Sequence, residues 1–158
     1  MTAALILSAA RAKGLRIAAA ESCTGGMLSA ALTDIPGSSD VFDRGFVTYS
    51  NAAKRSMLGV KDQTLAAYGA VSEPVAREMA EGAVAASDAQ IAVAITGIAG
   101  PGGSEFKPEG RVCFGLAMTG KQTATETVEF GPIGRAAVRW SATQHALALL
   151  ARAVTDQP

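Results

Sequence analysis

Ile17-Ala18-Ala19-Ala20-Glu21-Ser22-Cys23-Thr24-Gly25-Gly26 takes a short apolar run through an acid straight into a hydroxyl, a thiol and two glycines. A strand that ends in such a turn brings its last side chains to the carboxyl edge of a sheet, where the ligands of open α/β sheets bind. A helix starting at Gly25, residues 25–33, would aim its unpaired backbone N–H groups at an anion or oxyanion above Ser22.

Outward from this turn, helical and strand patterns alternate. Leu5, Ile6, Ala9, Ala10 and Ala12 recur at helical spacing over residues 4–13 and stop at Gly14, and a first strand follows over 15–20. The cluster Pro36-Gly37-Ser38-Ser39 ends the helix begun at Gly25. Residues 44–49 are β-branched and aromatic enough for a second strand, and Ser50 or Asn51 caps the helix that carries Lys54, Met57 and Leu58. A short helix over 62–68 ends at Gly69, and Ser72-Glu73-Pro74 opens a stronger one reaching Ser87. Ile91-Ala92-Val93-Ala94-Ile95 is continuously apolar, as a strand covered on both faces must be. Residues 111–118 and 122–130 form a hairpin around Thr119-Gly120, and a helix over 133–153 closes the chain, its apolar face assigned to Ile133, Ala136, Trp140, Leu147 and Leu150. This order predicts a three-layer α/β/α sandwich with a mixed, mostly parallel sheet and a late β-hairpin, as one domain over residues 1–158.

Composition narrows the function. With 158 residues, 49% of them hydrophobic, the chain can bury one substantial core. Only 18% are charged and the formal net charge is zero, so it lacks the basic footprint of a nucleic-acid binder. Cys23 and Cys113 have no metal-ligand spacing and suit reduced thiols in a cytoplasmic protein. The apolar stretch at the start is too short to span a bilayer and reads as an amphipathic helix, so no membrane or targeting segment is expected. The acids Glu21, Asp43, Glu73 and Glu105 are scattered, and neither a metal nor a cofactor is assigned.

Two apolar strands empty into Gly-rich loops, the second being Thr96-Gly97-Ile98-Ala99-Gly100-Pro101-Gly102-Gly103-Ser104. Side by side, such loops outline one pocket whose backbone approaches a ligand closely. Neither loop has the dinucleotide fingerprint or a Gly-Lys-Ser/Thr ending. Ser22 reads as a nucleophile, a helix N-cap or an anion-binding hydroxyl. The sole histidine, His145, lies deep in the last helix and is badly placed to serve Ser22. Lys54, one helical turn past the second strand with Tyr49 at that strand's end, is the alternative base if burial lowers its pKa; otherwise it is a surface lysine. Cys23 competes as nucleophile if a helix start activates it. Arg135 and Arg139, four apart, read either as phosphate ligands or as a solvated face.

The motifs Ala19-Ala20-Glu21-Ser22-Cys23-Thr24-Gly25-Gly26, Gly45-Phe46-Val47-Thr48-Tyr49-Ser50-Asn51-x-x-Lys54, Gly69-Ala70-Val71-Ser72 and Ile95-Thr96-Gly97-Ile98-Ala99-Gly100-Pro101-Gly102-Gly103 occur in this order. Together they resemble the CinA C-terminal domain family, the nicotinamide-nucleotide amidohydrolases, over nearly the whole chain. The resemblance implies deamidation of nicotinamide mononucleotide to nicotinic acid mononucleotide and ammonia in pyridine nucleotide salvage. It implies a serine nucleophile with a nearby lysine and tyrosine, which fall on Ser22, Lys54 and Tyr49. Cys23, Thr24, Gly25, Gly26, Thr96, Gly97, Gly100, Gly102, Gly103 and Arg135 are then expected around the substrate. Family members often read Gly-Asp-Arg before the last helix, where this chain has Gly131-Pro132-Ile133-Gly134-Arg135. Full-length CinA proteins carry a larger N-terminal domain, similar to molybdopterin-binding domains, so a chain this short looks like the stand-alone amidase. The expected partner is a small nucleotide, without nucleic acid or membrane, and the protein is expected to be a homo-oligomer.

Overall fold

The computed structural model describes residues 2–155. A five-stranded sheet in the order β2-β1-β3-β4-β5 forms its middle layer. β1 (Ile17–Glu21) pairs in parallel with β2 (Phe42–Val47) on one side and β3 (Ile91–Gly97) on the other. β4 (Arg111–Met118) and β5 (Ala124–Glu129) then continue the sheet by antiparallel pairing. Four strands therefore run in one sense and β4 runs against them. The chain leaves β1 toward β2 and later returns to β1's other side as β3, so a crevice opens between the carboxyl ends of β1 and β3. Register places Glu21 opposite Ile95, and the Ser22 N–H donates to the Ile95 carbonyl at 2.9 Å, locking the two Gly-rich loops at one edge.

Strand alternation separates the two buried faces. Ile17, Ala19, Ile91, Val93 and Ile95 face a layer made of α1 (Ala3–Ala12), α2 (Met27–Thr33) and α6 (Arg135–Thr155). Ala18, Ala20, Ala92, Ala94 and Ala117 face the other layer, α3 (Asn51–Leu58), α4 (Asp62–Tyr68) and α5 (Glu73–Ala85). The alanine face admits α5 closely, and Val75, Met79, Ala80 and Ala83 fill that contact. Ser50 caps α3 by accepting from the Ala53 N–H, which fixes the helix that carries Lys54.

Three expectations change. Gly25 and Gly26 have φ of +57° and +106°, outside the right-handed helical region, so α2 begins at Met27 and its N-cap is Gly26. Strand β2 ends at Val47, which leaves Thr48 and Tyr49 in the loop beyond the sheet. On α6 the core face includes Val138, Ala142, Ala146, Leu147 and Leu150, the last two as expected, whereas Ala136 and Trp140 on the helix and Ile133 just before it are exposed. The helix meets the sheet through small residues, and the largest side chain on it points to solvent.

Candidate active site

Past Glu21 the chain makes two overlapping turns, closed by Gly25 N–H to the Ser22 carbonyl and Met27 N–H to the Thr24 carbonyl, both at 3.0 Å. These turns lift Ser22 over the sheet edge into a cleft of about 340 Å³ between the first Gly-rich loop, α3 and the residues 96–104. α3 delivers Lys54 to the same place. Its Nζ stands 3.0 Å from Ser22 Oγ and donates to the Thr48 carbonyl at 2.8 Å. Lys54 is only 1% exposed, and among the described residues no carboxylate lies within ion-pair distance of it. Burial disfavours the ammonium and lowers its pKa from 10.5 to about 8, against smaller opposing influences from Cys23 and Glu105. A serine hydroxyl thus sits against an amine that can lose its proton near neutral pH, an arrangement suited to acyl transfer through serine.

Glu21, in sequence one of several scattered acids, organises this turn. It is fully buried and accepts from Thr24 Oγ1 (2.7 Å), Leu28 N–H (2.9 Å), Ser29 N–H (2.9 Å) and Ser29 Oγ (2.7 Å). Its carboxylate caps α2 in place of Ser22, so Ser22 is not the helix cap and the first N–H groups of α2 are spoken for. Amides available to an oxyanion belong to the turn itself, around Cys23 and Thr24.

Cys23 is 5% exposed, its sulfur lying against Gly97, where an added Cβ would come within 3.1 Å of Sγ. Burial pushes its thiol up to about 11, and it has no helix start to activate it. Cys23 lines the cleft beside Ser22, with its thiol held in the un-ionised form by burial. His145 pairs with Glu126 at 2.5 Å between α6 and β5, on residues other than those of the cleft.

Tyr49 and Arg135 meet at the mouth of the cleft. Arg135 donates to the Tyr49 phenol at 2.7 Å and to the Gly100 carbonyl at 2.8 Å. The Thr48 carbonyl holds the Lys54 amine, and the Tyr49 phenol accepts from Arg135. Arg139 does not stand beside Arg135 in the cleft, because it turns onto the carbonyls of Cys23 and Thr24.

In the second loop, the hydroxyl of Thr96 donates to the Ala70 carbonyl at 2.8 Å, tying the segment before α5 to the sheet. Gly97, Gly100, Gly102 and Gly103 line the cleft. Gly102 N–H is taken by the Glu109 carboxylate at 2.6 Å, so this loop is braced from behind by an acid the sequence reading did not single out. Among the described residues no group of three or more His, Cys, Asp or Glu converges on a possible metal position.

The fold and the site together define an α/β domain with a buried Ser/Lys pair at the carboxyl edge of its sheet. A family model of the CinA C-terminal domain matches residues 1–154, and the chain belongs to that family. It is 53% identical over 143 residues to the nicotinamide-nucleotide amidohydrolase PncC of Escherichia coli K12, covering 90% of this chain and 86% of that protein. It is also 54% identical over 147 residues to a CinA-like protein of Syntrophobacter fumaroxidans, covering 92% of this chain but 34% of that longer protein. The chain thus spans about a third of such CinA-like relatives. Among solved structures, the competence/damage inducible protein CihA from Agrobacterium tumefaciens matches with a TM-score of 0.93 at 47% identity, covering 98% of this chain and 93% of that one. No helix among the described residues is long and apolar enough to cross a membrane.

Proposed function

We propose that this protein hydrolyses the carboxamide of nicotinamide mononucleotide to nicotinic acid mononucleotide and ammonia, with Ser22 as nucleophile and Lys54 as general base. The observation that carries the reading is the buried Lys54 amine 3.0 Å from Ser22 Oγ, with no carboxylate among the described residues within ion-pair distance. The substrate comes from the relatives of similar length named nicotinamide-nucleotide amidohydrolase.

In the neutral amine, one N–H stays on the Thr48 carbonyl and the lone pair faces the Ser22 hydroxyl. Lys54 accepts the hydroxyl proton as Oγ bonds to the carboxamide carbon, and the carbonyl oxygen becomes an oxyanion held by the turn amides of Cys23 and Thr24, the Gly25 N–H being taken by the Ser22 carbonyl. The Lys54 ammonium returns its proton to the amide nitrogen as the C–N bond breaks and ammonia leaves. Water then attacks the acyl ester with Lys54 again taking a proton, and Ser22 is regenerated as the carboxylate product departs. Arg135, positioned by Tyr49 and the Gly100 carbonyl, meets the substrate phosphate, while Thr96, Gly97, Gly100, Gly102 and Gly103 wall the ribose. Binding of these remote groups orients the amide over Ser22. The reaction needs no cofactor, and it belongs to salvage of pyridine nucleotides by a cytoplasmic, self-associating protein.

The test is release of ammonia from nicotinamide mononucleotide by the purified protein, followed together with nicotinic acid mononucleotide formation. Stoichiometric appearance of both supports the reading. Tight binding of the nucleotide without ammonia would leave a binding module and end the amidase proposal.

A further inference from the structure

The nucleophile turn is gripped from outside by a charged side chain that the proposed chemistry does not use. Arg139, on the second turn of α6, donates from Nε to the Cys23 carbonyl at 3.0 Å and from Nη2 to the Thr24 carbonyl at 3.4 Å. Its guanidinium lies against Gly25, where a Cβ would stand 3.4 Å from Nη2. On the opposite side, Thr24 is tied by its hydroxyl to buried Glu21 at 2.7 Å.

Turn geometry gives this grip a consequence. Ser22 to Gly25 is a four-residue turn closed by Gly25 N–H on the Ser22 carbonyl. The other common turn type would need positive φ at β-branched Thr24, which is not among the positive-φ residues, so the freedom left to the central peptide joining Cys23 to Thr24 is its tilt. A trans peptide is planar, with C=O and N–H pointing oppositely, so fixing the Cys23 carbonyl fixes the direction of the Thr24 N–H.

We propose that Arg139 is a positioning residue that holds the Cys23–Thr24 peptide in one orientation and so presets the Thr24 N–H as an oxyanion donor. The proposal rests on the Ser22 acyl-transfer reading above. A donor fixed before reaction stabilises the developing oxyanion without reorganising, whereas a peptide free to tilt points its N–H at the oxyanion only part of the time. Because the oxyanion exists only after attack, losing the grip lowers kcat and leaves KM unchanged.

The experiment measures steady-state ammonia release from nicotinamide mononucleotide for wild type, Arg139→Ala and Arg139→Lys across pH. Each is assayed with millimolar guanidinium chloride or sodium chloride at equal ionic strength, and circular dichroism checks that each is folded. Arg139→Ala is expected to lose about ten- to a hundred-fold in kcat, less than deleting an oxyanion donor outright. Its KM and the acidic limb set by Lys54 stay in place, and guanidinium but not sodium restores part of kcat. Unchanged kinetics, a KM rise at constant kcat, or a folded Arg139→Ala that guanidinium does not rescue each overturns the proposal. Should Arg139→Ala not fold, Arg139→Lys carries the test, since its amine keeps the charge without the two-pronged grip; wild-type kcat there overturns the proposal. Wild type that releases no ammonia removes the amidase reading and this proposal with it, whereas an active wild type with indifferent Arg139 variants removes only this one.

Discussion

Replacing Lys54 with Met should inactivate the protein and, at neutral pH, make it more stable. Lys54 is buried with its pKa lowered from 10.5 to about 8 by desolvation, so the unfolded chain holds the proton more tightly than the folded one. Between pH 8 and 10.5 the unfolded state therefore binds more protons, and stability of the wild type rises with pH through that window. At about 1.4 kcal/mol per pH unit, the interval corresponds to ~3 kcal/mol, a cost borne in full below pH 8 and gone above 10.5. Met removes that cost but leaves the Thr48 carbonyl without its donor, a loss of about 1 kcal/mol, while Ser22 Oγ, which also loses the amine, faces the cleft and turns to water. Urea unfolding at pH 7 should thus find Lys54→Met more stable than wild type by roughly 2 kcal/mol. By pH 10.5 the order should reverse by about 1 kcal/mol, since only the lost hydrogen bond remains. In the same wild-type protein kcat/KM should rise about tenfold per pH unit toward a limb near 8 and then level. A Lys54→Met variant that is less stable at pH 7, or a stability gap constant from pH 7 to 10.5, refutes the assignment of a desolvated amine to this position.

Ser22→Ala should fold and bind nucleotide while losing on the order of a million-fold in turnover, and retention of more than about a tenth of wild-type rate removes Ser22 as nucleophile. Cys23→Ser should keep most activity, because the thiol is buried and its pKa is pushed up to about 11; near-complete loss in a folded variant would return the chemistry to the sulfur. Turnover should be indifferent to a strong chelator, and loss reversed by one divalent ion would replace the serine mechanism with metal-activated water. Glu21→Gln presents an amide nitrogen to hydroxyl and N–H donors that now share a carboxylate, so thermal or urea unfolding should show a loss of at least ~2 kcal/mol; a wild-type midpoint would mean those bonds do not hold the turn.

What could be read from the residues follows how locally each feature is determined. The sheet's central strands were legible because Ile91-Ala92-Val93-Ala94-Ile95 has no polar residue to place on a solvent face, and a run of that length buried on both sides must be interior. The Ser22–Lys54 pair was legible as a possibility, but its distance depends on how α3 returns over the edge between β1 and β2, a tertiary relation that spacing does not contain. The later helix start does have a signal in the sequence: two consecutive glycines after Thr24 allow positive φ, and positive φ postpones a right-handed helix. That delay is what left α2 needing a cap from elsewhere, and the only acid at the end of the apolar strand, Glu21, was placed to supply it. A single buried carboxylate has no pairing or spacing signature in sequence, although its burial requires partners. Trp140 misled in the opposite way, since its size suggested the core although the helix packs through Val138, Ala142 and Ala146. Close approach of a helix to a sheet selects small side chains, so in an alanine-rich chain the stripe of alanines is the better guide to the buried face than the largest apolar residue.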